Sequence, residues 1–198
     1  MICLLSIFLA YSITNKNRST DNLGKQKSVQ EIIRDIKATN WDNYVPLIIE
    51  DDYKKIDTNA ALIDTNGRSV RLSELTNGKY HLVVRYSFTD CNACVDTVIN
   101  IINELKSRFS SAPVLAITDS NSDRDFIVRS KSQQTPLKVY SLINSSLGLY
   151  MENKNFPFVF VITPEYRATK IFMPTKEISM QIREYMVTTL KFLTDQTR

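Results

Sequence analysis

The segment Cys91-Asn92-Ala93-Cys94 constrains this chain more than any other. A hydrophobic run, His81 to Phe88, leads into it, and a helical pattern from Val95 to Phe109 leads away. Val95, Val98, Ile101, Ile102, Leu105 and Phe109 keep the period of an amphipathic helix. A strand that hands two thiols to a helix N-terminus has a chemical consequence. Unpaired N–H groups and the positive end of the helix dipole favour ionisation of the first thiol. That thiolate is a nucleophile, and the second thiol, one turn on, is placed to attack the mixed disulfide that results.

Other uses of paired cysteines fit less well. Zinc takes four protein ligands, or three and a water. Beyond the pair, the chain has one cysteine, Cys3, and one histidine, His81. Cys3 lies in an apolar N-terminal segment and His81 at the far end of the expected strand, so a thiol-rich structural zinc site is not completed within one chain. No metal is expected. Two inert cysteines packed as small hydrophobes are the remaining plain reading. The redox reading needs no added cofactor, because the Cys91–Cys94 disulfide is itself the redox group.

The rest of the composition is ordinary. A length of 198 residues accommodates one domain with extensions, and 43% hydrophobic residues are enough for a normal core. The net charge of +4 is mild and its Lys and Arg residues are scattered, so no nucleic-acid partner is expected. Met1 to Ile13 is almost wholly apolar, too short for a comfortable membrane span of about 20 residues. It matches the hydrophobic part of an export signal, with Ala10-Tyr11-Ser12 as a small-x-small cleavage site, although no basic residue precedes it. A short membrane anchor, or a buried N-terminal element of a cytosolic protein, is the alternative. Export is consistent with a mature chain that keeps only the paired cysteines.

Residues 14–27 are polar and basic and read as a linker. Ser28 to Glu31 is a capping box ahead of Ile32, Ile33 and Ile36, which predicts a helix over about 29–38. Trp41 to Ile49, with Pro46 inside it, reads as extended. The division expected is therefore a signal or anchor over 1–13, a linker and extension over 14–57, and one domain over 58–198. In that domain, strands are expected at Ala60–Asp64, Leu82–Phe88, Pro113–Thr118, Leu137–Leu142, Phe158–Ile162 and Ala168–Met173. Helices are expected after Cys94, from Ser122 to Arg129, and from Ile178 to Leu193. This alternation predicts an α/β domain with one central mixed sheet and helices on both faces.

A turn, Val70-Arg-Leu-Ser-Glu-Leu75, Gly78-Lys79, a hydrophobic strand, CxxC, a long helix and then Phe156-Pro157 before a buried strand follow in that order. The order resembles the thioredoxin fold, and most of all the exported TlpA/AhpC-TSA branch of thiol-disulfide oxidoreductases, with sequences of the Bacteroides type. The resemblance covers about residues 58–194. It implies that Cys91 is the exposed attacking thiol and Cys94 the buried resolving one. It also implies that Pro157 occupies the family's cis-proline position, where the backbone at Phe156 pairs with a bound substrate chain.

The flanks depart from that family. Asp90 stands where a Trp often precedes the first Cys; its carboxylate opposes thiolate formation, or else caps the helix. Arg85 stands where thioredoxin has a buried acid, and a guanidinium cannot act as that base. Arg85 either stabilises thiolate charge at a distance, tuning the site, or, as is favoured, pairs with a carboxylate such as Asp64 or Asp119. Asn92 and Ala93, between the thiols, help to set the reduction potential in a direction the sequence does not show.

The function implied is thiol-disulfide exchange with client proteins in the cell envelope or periplasm, supplied by a membrane or envelope electron donor. Two alternatives follow from the same residues. Peroxidases of the related type place a Thr where this chain has Phe88. A Cu(I)-binding or non-catalytic role would use the two sulfurs without turnover.

Overall fold

A β-branched run that must be buried on both sides belongs in the middle of a sheet, and the three strongest runs of this chain lie there. The computed structural model describes residues 41–87, 89–120, 122–132 and 137–197, within a compact unit, Thr39–Arg198. The apolar segment 1–13, the linker 14–27 and the helix expected at 29–38 lie outside the described residues.

In chain order the elements are α1 (Trp41–Asp51), β1 (Ala61–Asp64), β2 (Ser69–Arg71), α2 (Leu72–Thr76), β3 (His81–Arg85), α3 (Asn92–Leu105), β4 (Val114–Asp119), α4 (Asp123–Ser132), β5 (Lys138–Leu142), β6 (Phe158–Ile162), β7 (Ala168–Phe172) and α5 (Ser179–Gln196). Short 3-10 helices stand at Tyr150–Asn153 and Lys176–Ile178. The sheet order is β2-β1-β5-β4-β3-β6-β7. Strands β3, β4 and β5 run parallel, joined through α3 and α4. Strands β1, β6 and β7 enter antiparallel, which makes the sheet mixed, as expected.

Strand alternation divides the core in two. Leu82, Val84, Ala116, Val159 and Val161 face α3, α4 and α5, where they meet Val98, Ile102, Phe126, Ile182 and Met186. Val83, Leu115, Ile117, Phe158, Phe160 and Ile162 face the other way, onto Leu72, Met151 and the α1 residues Tyr44, Leu47 and Ile48. The α3 helix has no side-chain cap at its N-terminus. Packing holds it instead: Val95, Val98, Ile101, Ile102 and Leu105 are all buried, each contributing about 1.5–3 kcal/mol. At the start of α4, Ser122 Oγ accepts the Asp125 N–H at 3.2 Å. One glycine is required: Gly67 turns β1 into β2 at φ +79°, and a Cβ there would meet the Ile127 side chain at 3.2 Å.

The extended reading of Trp41–Ile49 is corrected: the segment is helical through Asp51 with Pro46 inside. Proline removes one helix hydrogen bond, but Tyr44, Leu47 and Ile48 share one side and bury against the sheet, and that burial outweighs the loss. The segment is also stitched to the edge of the sheet. Tyr53 N–H donates to the Ala168 carbonyl at 2.7 Å, Ala168 N–H to the Lys54 carbonyl at 2.9 Å, and Ile56 N–H to the Tyr166 carbonyl at 2.8 Å. Asp51, fully buried, accepts from the Tyr150 and Met151 N–H groups, one on each oxygen, both at 2.9 Å.

Asp51→Ala strands two donors at the start of a 3-10 helix. It is expected to lower stability by about 2–4 kcal/mol in urea unfolding, with faster amide exchange at Tyr150 and Met151.

Candidate redox site

Strand β3 ends at Arg85, at the edge of the sheet where β4 also ends, and the chain then makes one tight turn before α3. Tyr86 N–H still pairs with the Ile117 carbonyl at 3.1 Å. Ser87 and Asp90 close the turn twice: Asp90 N–H donates to the Ser87 carbonyl at 3.1 Å, and Ser87 N–H donates to Asp90 Oδ2 at 2.7 Å. The turn delivers Cys91 to the N-cap position of α3. The Cys91 carbonyl accepts the N–H groups of Cys94 at 3.0 Å and Val95 at 3.1 Å.

Cys91 and Cys94 form a disulfide with their Cα atoms 5.3 Å apart. Cys94 is buried, at 4% exposure, while Cys91 is only half-buried and Asn92 and Ala93 are exposed. The asymmetry comes from the helix itself. Cys94 lies on the side of α3 that carries Val98 and Ile101 into the core, and Cys91 lies at its open end.

Asp90 does not cap the helix. Its Oδ2 is occupied by the preceding turn, and its Oδ1 is buried with no hydrogen-bond partner among the described residues. Burial holds this carboxyl above the ordinary aspartate value, against the Ser87 N–H and Arg85, which pull it down, while Asp119 pushes it further up. A nearby Tyr86 is pushed up to about 12, chiefly by burial.

Arg85 is paired with Asp119, as expected, and not with Asp64. Its Nη2 donates to Asp119 Oδ2 at 3.0 Å, its Nη1 to the Tyr86 carbonyl at 2.6 Å, and its Nε to Glu152 Oε1 at 3.3 Å. Asp64 instead turns the β1–β2 hairpin and pairs with Arg68 at 2.8 Å. Strand parity puts Arg85 and Asp119 on the α1 side of the sheet, opposite α3. Glu152 completes the cluster; its Oε2 accepts the Leu147 N–H at 2.8 Å and the Leu149 N–H at 3.2 Å. Arg85 and Glu152 are both buried, so each neutralises the other's charge where water is absent. Nothing in the sequence singled out Glu152, which lies 67 residues from Arg85.

Pro157 is buried at the head of β6, and Phe158 beside it pairs with Arg85. It therefore stands at the same end of the sheet as the dithiol. The expected cis bond is corrected: no described peptide bond is cis, so Phe156–Pro157 is trans. Trans is the lower-energy form, and Asn155, at φ 54°, turns the chain two residues earlier. The Phe156 ring meets Tyr44 of α1 edge-on, with centroids 5.1 Å apart. His81 lies at the opposite end of β3 from the thiols, as expected. Phe88 lies outside the described residues.

No protein-family model matches the chain, and no curated protein does. Solved structures do. A candidate thiol:disulfide interchange protein, DsbE, from Chlorobium tepidum is 15% identical over 70% of this chain and 99% of its own, with a TM-score of 0.51. A candidate protein disulfide isomerase from Bacteroides thetaiotaomicron is 12% identical over 72% of this chain and 87% of its own, with a TM-score of 0.50. The exposed lipoprotein thioredoxin of Streptococcus pneumoniae is 20% identical over 67% of this chain and 98% of its own, with a TM-score of 0.49. The fold is thioredoxin-like.

Three substitutions test the electrostatics. Arg85→Met leaves Glu152 buried without its counter-charge and is expected to cost about 3–5 kcal/mol in denaturant unfolding. Adding Glu152→Gln to that variant is expected to recover part of the loss, a coupling that a double-mutant cycle reads directly. Asp90 works the other way. Its folded-state pKa is raised, so its stabilising share is complete below the unfolded aspartate value and is lost as pH rises through the folded value. Asp90→Asn keeps an acceptor for Ser87 N–H and removes the charge. Its melting temperature is expected to exceed the wild type's at pH 7, with the gain shrinking as the solution is acidified toward about pH 4.

Proposed function

We propose that this chain is a thiol-disulfide oxidoreductase that exchanges disulfides with client proteins. The observation that carries this reading is the Cys91–Cys94 disulfide at the start of α3, with Cys91 half-buried and Cys94 buried. The half-buried cysteine, Cys91, is the one a client reaches. In the reducing direction, the Cys91 thiolate attacks a client disulfide. A Cys91–client disulfide forms and one client thiolate leaves. Cys94 then attacks the Cys91 sulfur, the Cys91–Cys94 disulfide forms, and the second client thiolate leaves with the remaining electrons. Run backward, the same steps oxidise a client dithiol.

Phe156 and Pro157 are the proposed contact for the client chain, because they occupy the sheet end where the dithiol lies. Asn92 and Ala93, exposed between the sulfurs, tune the potential and meet the client first. An envelope location is supported by the apolar run Met1–Ile13 followed by a polar linker. Among the described residues, no helix is long and apolar enough to cross a membrane. In that compartment the oxidised pair is returned to the dithiol by a membrane or envelope thiol donor.

Cys94→Ser is expected to trap clients as mixed disulfides through Cys91, seen as adducts that collapse on reduction, whereas Cys91→Ser is expected to trap none. Titration of the wild-type pair in glutathione buffers gives its potential and therefore its direction. Thiol-dependent consumption of peroxide, or tight Cu(I) retention with no exchange, would replace this reading. A pair that does not cycle, with no adduct on Cys94→Ser, would end it.

A further inference from the structure

At the end of the sheet away from the dithiol lies a cavity of about 410 Å³, within the size range of small-molecule sites. The parallel register creates it. Strands β3, β4 and β5 start side by side, so the segments that lead into them meet at one end. His81 opens β3, Val114 opens β4 and Lys138 opens β5, and all three line the cavity. Its buried and exposed linings differ in chemistry. Ile102, Phe109, Leu115 and Leu190 are buried and apolar, whereas Lys106, Ser110, Ser111 and Lys138 are exposed and form the rim.

Charge at this end is one-sided. The sequence leading into the three strands, 76–80, 106–113 and 130–137, holds Lys79, Lys106, Arg108 and Lys131 and no Asp or Glu. No described residue that lines the cavity is acidic. Glu74 and Glu104, the acids nearest in sequence to lining residues, are engaged elsewhere: Glu74 accepts the Arg71 N–H at 3.3 Å, and Glu104 pairs with Arg183. Among the described residues, ion pairs occupy Lys54, Arg68, Arg85, Lys176 and Arg183, and neither Lys106 nor Lys138. The fold thus sets two uncompensated ammonium groups beside a buried apolar surface. His81 adds a ring of fixed orientation, since its Nδ1 lies 3.1 Å from the Lys79 carbonyl and a carbonyl only accepts.

A small polar anion gains nothing from the apolar lining, and a neutral hydrocarbon gains nothing from the lysines. A molecule with an apolar body and one anionic head uses both. We propose that this cavity binds such an amphipathic monoanion, with its body against Ile102, Phe109 and Leu190 and its head at the Lys106 and Lys138 rim. The proposal does not rest on the redox reading, because the cavity lies at the opposite end of β3 from Cys91.

The test uses wild-type protein without a histidine tag, in which His81 gives the one histidine ring signal in NMR. Sodium octanoate, octanol and octyltrimethylammonium are titrated separately, each below its aggregation limit. Octanoate is expected to shift the His81 signal saturably, to raise the melting temperature, and to bind about tenfold or more tightly than the other two. Added salt is expected to weaken octanoate and leave octanol unchanged. Lys106→Ser combined with Lys138→Ser, both at exposed positions, is expected to weaken octanoate about tenfold. Ser111→Trp, which places an indole at the rim, is expected to weaken it with both lysines kept. Equal binding of the three probes overturns the proposal, as does octanoate binding that the paired lysine substitutions leave unchanged. A His81 signal that octanoate does not move overturns it on the unmutated protein. If the protein instead sediments with vesicles of anionic phospholipid while octanoate leaves His81 unmoved, the basic end serves a membrane surface and the cavity reading falls.

Discussion

A strand covered on both faces has no solvent side on which to place a polar group, so the centre of this sheet is apolar until its strands run out. In β3 the first charged side chain after Leu82, Val83 and Val84 is Arg85, and in β4 it is Asp119. Both strands end at the same edge because they run parallel and in register, with Arg85 opposite Ile117. That edge is where the chain must leave the sheet, where α3 must begin, and where charges first become affordable. The dithiol, the ion cluster and Pro157 all collect there for that one reason.

Within that edge, the two faces of the sheet carry different work. The α3 face presents sulfur: a helix held by its buried stripe, with its first turn left uncapped and Cys91 at its mouth. The opposite face presents charge: Arg85, Asp119 and Glu152 locked to one another and to backbone groups. Arg85 therefore serves the architecture first, by joining the end of β3 to the Leu147–Glu152 segment that leads toward Phe156 and Pro157. Asp90 belongs to neither arrangement. Half of its carboxyl fastens the turn and the other half has no hydrogen-bond partner among the described residues, so the fold tolerates an unfavourable group beside Cys91.

The segment before the central domain is part of the same structure. The α1 helix covers the second face of the sheet, and the residues after it extend the edge of β7 through backbone hydrogen bonds. Asp51 ties it to the 3-10 helix whose Glu152 holds Arg85. Tyr44 touches Phe156. An element that reads as an extension is thus packed against both supports of the redox edge.

Local pattern sufficed where burial follows it. The continuous runs of β4 and β6 and the helical stripe from Val95 to Leu105 were legible, because each depends on residues within a few positions of one another. The reading failed at Trp41–Ile49, where a proline argued against a helix and only a distant sheet face supplied the burial that makes one. It failed at Pro157, where the turn is taken up by Asn155 and the peptide stays trans. By itself, then, the sequence determined the mixed α/β sheet and the position of two cysteines at a helix start, since periodicity and a fixed spacing are local properties. The partners of Arg85, the latch at Asp51 and the burial of Asp90 were decided only by the tertiary structure. Charge pairing and the loss of water depend on which remote strands and loops arrive at the same place, and no window of sequence contains that.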